Sequence, residues 1–206
     1  MATDLGSFGE RLARGDALVI AGLGDSLTQG WLVQAGFFAR FGEGLQQRFP
    51  SARLEFHNFG VPGDTVFDGL ARLEPVLAVH PDLVVVQFGI NDCFSGVYRH
   101  EFQETLGILV DRLQQAGALV LLATSNPLRA PVDQDAVRHF YTAIREVGRS
   151  RGAPVAHLDQ LWVAHTTAAA GAEGLYQPDG VHPSDAGHEI LALGLLNLFE
   201  EPSPPA

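Results

Sequence analysis

The chain carries a single cysteine, Cys93, among 206 residues. No internal disulfide can form, and a zinc site built on several thiolates is excluded. Basic side chains are scarce: 13 stand against 24 acidic ones, a net charge of −11. Such a surface repels phosphate backbones and anionic lipid, so no nucleic acid partner is expected. Long apolar runs are missing too. The stretch "ALVIAGLG" at 17–24 is too short to span a bilayer, and Met1–Asp16 before it holds acids and no apolar core of signal type. These features lead to the expectation of a cytoplasmic protein with no stable membrane association. The tail "EPSPPA", 201–206, reads as disordered. The 46% hydrophobic and 18% charged content suits an ordinary globular fold, with residues 1–200 as one domain.

Apolar, β-rich runs recur at Ala17–Leu23, Leu54–Phe59, Leu83–Phe88, Ala118–Ala123 and Pro154–Leu158. Near-continuous runs of this kind suit strands buried on both faces. Between them, helical spacing covers Trp31–Phe49, Thr65–Val79, Phe102–Gln115 and Gln134–Arg149. An irregular stretch then precedes a last helix over Ser184–Phe199. Alternating strands and helices imply βαβ units, a parallel sheet and right-handed crossovers. The expected fold is α/β: a three-layer α/β/α sandwich on a five-stranded parallel sheet of order 2-1-3-4-5, with a crevice where strands 1 and 3 diverge.

The segments after the strands gather at one sheet edge. They are "GDSLTQG" (24–30), "NFGVPGDT" (58–65) and "GINDC" (89–93), joined by "DGVHPSD" (179–185) ahead of the last helix. Each has a local explanation. Ser26 and Ser184 suit helix caps, Gly60 and Gly63 suit turns, Asn91 and Asp92 suit a turn with a cap, and Asp179–Gly180 is itself a turn signal. Read together, they supply the parts of acyl transfer. A serine hydroxyl attacks a carbonyl only if a base takes its proton, and His182 is the candidate base for Ser26. Asp179, three residues earlier, can accept the other ring N–H and fix the tautomer. The backbone N–H groups of Ser26 and Gly63 and the Asn91 amide are candidate donors to an oxyanion.

In this order the four segments resemble the sequence blocks of the SGNH, or GDSL, hydrolase family. The resemblance implies Ser26 as nucleophile, Ser26, Gly63 and Asn91 as the oxyanion hole, and His182 with Asp179 as base and orienting partner. It further implies a flavodoxin-like sandwich, no cofactor, and hydrolysis of esters and sometimes thioesters through an acyl-enzyme. Pro62 departs from the small polar residue common in the family at that position; it removes one N–H but leaves the Gly63 donor.

The substrate expectation is a small ester with a short acyl or acetyl group. Lysophospholipase or thioesterase activity is the alternative within the family. A rival of another class is a non-catalytic flavodoxin-like domain that binds a small ligand, although no G-x-G-x-x-G follows strand 1. Phe94, Tyr98 and Arg129 lie in loops at the same edge and are candidate substrate contacts. No metal is expected: His182, Asp185 and His188 have ligand-like spacing, but the last two are placed on an exposed turn, with no carboxylate cluster to complete a set. Cys93 reads as a small buried hydrophobe, and Phe37, Phe38 and Phe41 as a helix face packed on the sheet.

Overall fold

The computed structural model describes residues 4–129, 134–168 and 173–199. Its centre is a five-stranded parallel sheet of order β2-β1-β3-β4-β5, formed by β1 (Ala17–Gly24), β2 (Arg53–Gly60), β3 (Leu83–Gln87), β4 (Leu119–Ala123) and β5 (Val155–Ala156). The order is the expected one. Every residue of β3 and β4 is buried, which accounts for their apolar character, interrupted only by Gln87 at the end of β3. β2 is different. As an edge strand it is only partly covered throughout, so the expectation of burial on both faces fails there. β5 shrinks to two residues.

Helices flank both faces. On one side α3 (Phe37–Arg48) packs against α10 (Asp185–Leu196), which also meets α9 (Leu158–Ala168). On the other, α7 (Arg99–Gln115) packs against α8 (Gln134–Arg151) and α4 (Val66–Ala71). Phe37, Phe38 and Phe41 are buried in this core, as their spacing implied. Among the described residues no helix is long and apolar enough to cross a membrane. The tail at 201–206 lies outside the described residues, as do positions 130–133 of the loop after β4.

Four elements depart from the sequence reading. The N-terminal segment forms α1 (Leu5–Arg14), opened by a reciprocal cap between Asp4 and Ser7 and closed by Gly15 at φ 82°. Its Phe8 meets Phe199 edge-on, with ring centres 5.8 Å apart. The helix expected from Trp31 begins only at Phe37; "SLTQ" forms a separate single turn, α2 (Ser26–Gln29), ended by Gly30 at φ 86°, and turns and bends fill the residues between. The helix expected over 65–79 breaks at Arg72 into α4 and α5 (Leu73–Ala78). Pro75 explains the break: it has no N–H for the Ala71 carbonyl, and its ring would clash there, yet it fits the first turn of a new helix. The irregular stretch expected after β5 opens with the helix α9, whose buried Leu158 and Trp162 were too sparse to give a clear period.

Candidate active site

All three leading strands end at one edge, with Gly24 of β1 paired to Gly60 of β2 and to Gln87 of β3. Whatever follows β1 therefore lies between the loops that follow β2 and β3. A side chain at Gly24 is impossible: its Cβ would fall 2.2 Å from Thr28 Oγ1 and 2.5 Å from the Gln87 carbonyl oxygen. The chain turns at once into α2, and Asp25 is the cap, its carboxylate accepting the Leu27 N–H at 2.9 Å. Ser26 is thus not the cap but the first helical residue, with a backbone N–H that a helix start leaves without an internal acceptor.

Ser26 Oγ lies 2.9 Å from His182 Nε2. On the far side of the ring, His182 Nδ1 lies 2.6 Å from Asp179 Oδ2, while Asp179 Oδ1 accepts the backbone N–H groups of Val181 and His182 at 2.9 Å each. A carboxylate at Nδ1 places the proton there and leaves Nε2 to accept from the serine. Burial pulls the Asp179 carboxyl upward in pKa, but the hydrogen bonds from the His182 ring and the two N–H groups outweigh it, and the net shift is below the ordinary value of 3.8. Asp179 therefore stays ionised at neutral pH.

The loop after β2 turns at Val61-Pro62-Gly63-Asp64, closed by the Asp64 N–H on the Val61 carbonyl at 3.2 Å, with Gly63 at φ 87°. Turns with positive φ at the third residue favour Pro second and Gly third, so Pro62 suits the loop it occupies. A Cβ on Gly63 would touch nothing within 4 Å; the backbone angle, not space, demands glycine there. Asn91 follows β3 in the short helix α6 (Ile90–Phe94), and its Nδ2 donates to the Asp64 carbonyl at 3.0 Å. One amide hydrogen is so engaged, and the group carries a second. Next to it, Asp92 is fully buried and accepts the Val66 N–H at 2.9 Å, while its Oδ2 has no partner among the described residues. Burial raises its carboxyl pKa to about 6.

A model of the GDSL-like lipase/acylhydrolase family matches residues 23–190. The chain belongs to that family of ester hydrolases. Among its curated relatives, the esterase TesA of Pseudomonas aeruginosa is 29% identical over 185 residues, 87% of this chain and 82% of that one. An acetylxylan esterase of Geobacillus stearothermophilus is 27% identical over 221 residues, 90% of this chain and 94% of the relative. A solved structure of a catalytic mutant of Axe2, an acetylxylan esterase from the same organism, superposes with a TM-score of 0.82 at 22% identity, covering 93% and 98% of the two chains. A two-domain esterase active on acetylated mannans gives 0.81 at 26% identity, over 98% of this chain and 56% of that one.

In this GDSL-family chain the first and last of the four blocks are held by residues the sequence reading did not single out. Gln87, buried at the end of β3, donates to Asp25 Oδ2 at 3.2 Å and accepts the Thr28 hydroxyl at 2.9 Å, gripping α2 at both ends. Burial raises the Asp25 carboxyl pKa to about 7. Asn126 donates to the Val181 carbonyl at 2.9 Å, and Gln177 Nε2 donates to the Trp31 and Pro183 carbonyls at 2.9 and 3.0 Å, fixing the turn that carries His182. No sequence motif marks these three amides. Of the candidate substrate contacts, Arg129 lies against the turn that carries His182, its backbone N–H on the Gly180 carbonyl at 2.8 Å. Phe94 and Tyr98 are exposed, with Tyr98 stacked on His100. Cys93 is half-buried and packs against the core.

His188 corrects an expectation. It is buried, not exposed: its Nδ1 accepts the Phe37 N–H at 3.0 Å and its ring stacks on Phe37. Burial lowers its pKa to about 4, so it is a neutral structural acceptor. Asp185 is exposed and binds Arg40 at 3.0 Å, so His182, Asp185 and His188 face three different partners.

Proposed function

We propose that the chain hydrolyses small carboxylic esters, acetyl esters of carbohydrate foremost, with Ser26 as nucleophile. The supporting observation is the hydrogen-bonded series Ser26–His182–Asp179, at 2.9 and 2.6 Å, on the crevice edge of the sheet. Ser26 Oγ attacks the ester carbonyl as His182 Nε2 takes its proton, and Asp179 steadies the imidazolium. The oxyanion is met by the N–H groups of Ser26 and Gly63 and by the Asn91 amide. Collapse expels the alcohol, protonated by His182, and water activated by the same base releases the acid from the acyl-enzyme. The acetyl preference draws on the acetylxylan and acetylated-mannan esterases to which the chain is similar.

A second reading, cleavage of longer acyl esters or thioesters, is favoured by exposed Trp31 and Val61, in the loops that follow α2 and β2, and by exposed Phe67 in α4. A panel of acyl esters and thioesters of increasing chain length separates the two readings: falling kcat/KM beyond acetyl supports the first. The assignment of Ser26 is tested by a fluorophosphonate probe with peptide mapping. Labelling of Ser26, lost in Ser26→Ala and strongly slowed in His182→Ala, is the expected result; modification of Cys93 in place of Ser26 refutes it.

A further inference from the structure

One cation ties the loops of the site together. Arg72 sits at the break between α4 and α5, with φ −106° and ψ 32°. From there its Nε donates to Asp64 Oδ2 at 2.5 Å and its Nη2 to the Gly24 carbonyl at 3.0 Å. Both partners are placed for chemistry. Gly24 is two residues before Ser26, and its carbonyl also accepts the Val61 N–H at 3.0 Å. Asp64 follows Gly63 directly, closes the Gly63 turn with its own N–H, and presents its carbonyl to Asn91. The ion pair is largely shielded, the Arg72 and Asp64 side chains being 25% and 14% exposed.

We propose that Arg72 is a positioning residue for ester hydrolysis, which locks the Gly63 turn, and through Asp64 the Asn91 amide, to the strand end that leads into Ser26. The inference rests on the oxyanion roles given above. Two physical effects combine. A planar guanidinium with donors in a fixed fork holds two acceptors at a set separation, which a flexible ammonium cannot do. In addition, the Asp64 carboxylate adjoins the donor that must receive a developing negative charge, and Arg72 neutralises it. Without Arg72, that carboxylate opposes the oxyanion and the turn loses its tether to β1. Substrate binding in the ground state draws little on either effect.

The test compares Arg72→Ala, Arg72→Lys, Asp64→Asn and Ser26→Ala on p-nitrophenyl acetate, with kcat expressed per folded molecule. The expected result is a fall in kcat of about 10–100-fold for Arg72→Ala, the range for a displaced catalytic geometry, with KM within about threefold. Millimolar guanidinium should restore part of that loss, and Arg72→Lys should fall between. Wild-type kcat in folded Arg72→Ala overturns the inference, as does a change confined to KM. If Arg72→Ala does not fold, Arg72→Lys decides: unchanged kcat overturns the proposal, and reduced kcat at constant KM supports it. Asp64→Asn keeps an acceptor while removing the carboxylate charge, so it should retain more activity than Arg72→Ala; an equal or greater loss counts against charge compensation by Arg72. Failure of the catalytic reading itself shows separately, as turnover that survives in Ser26→Ala.

Discussion

The hydroxyl of Ser26 has its partner because two neighbours free it for that role. Asp25 takes over the capping of α2, so the serine side chain is not spent on a backbone N–H, and Gln87 fixes the far side of Asp25. Asn91 has a double position in the proposed mechanism, with one amide hydrogen bracing the Asp64 carbonyl and the other offered to the oxyanion. Asn91→Ala should lower kcat by ~10²–10³, roughly 2.7–4 kcal/mol of transition-state stabilisation. KM should stay within a few-fold, since a neutral carbonyl draws far less on the donor than an oxyanion does. Loss of the brace should also lower the melting temperature. Steady-state kinetics per folded molecule separate the two contributions: unchanged kcat with a lowered melting temperature would reduce Asn91 to a brace.

At the scale of elements, His182, the proposed base, is held by the turn that opens α10. Ser184 caps that helix, accepting the Gly187 N–H at 3.2 Å while its hydroxyl donates to the Gly174 carbonyl at 2.6 Å. Ser184→Ala removes both and should cost about 0.5–2 kcal/mol, the range for a lost cap. In a domain of this size that corresponds to a drop of roughly 2–4 °C per kcal/mol in melting temperature. The His182 turn is held separately by Asn126 and Gln177, so kcat per folded molecule should change by less than about threefold. A large loss of kcat in a folded variant would show instead that the cap, not the two amides, sets the position of His182. At the same scale, Arg72 stands at the break between α4 and α5, with its guanidinium on Gly24 and Asp64.

For the whole molecule, burying two carboxyls under the site makes stability depend on pH. Asp25 and Asp92 have pKa values raised by burial to about 7 and about 6. The folded chain therefore holds protons that the unfolded chain releases above about 4, and stability falls as pH rises from about 4 towards 7. Asp179 and Asp68 act oppositely in a separate window: their lowered values give stability that is lost as pH drops below about 4. Asp25→Asn keeps the acceptor for Leu27, and a flip of the Gln87 amide accommodates the new donor. Urea midpoints measured from pH 4.5 to 8 should fall with pH in the wild type and fall less steeply in Asp25→Asn, most visibly between pH 6 and 7. Parallel curves for the two proteins would contradict the burial of an ionisable Asp25.

Much of this protein is legible in its order of residues. The buried strands β3 and β4 declare themselves as near-continuous apolar runs, and strands alternating with helices imply a parallel sheet with right-handed crossovers. Asp179 and His182 meet within one turn, so a four-residue segment suffices to show them together. Ser26 and Asn91 could be named because residue type and position after a strand limit what they can do. The tertiary structure alone decided the rest. Gln87 reaches Asp25 across 62 positions, Asn126 reaches Val181 across 55 and Arg72 reaches Gly24 across 48; such contacts leave no local period or spacing in the chain. The same holds for His188, whose burial against Phe37 spans 151 positions. A helix period fixes which residues share a face, but which other element covers that face, and hence which polar groups lose water and which gain a partner, is settled only when the layers close.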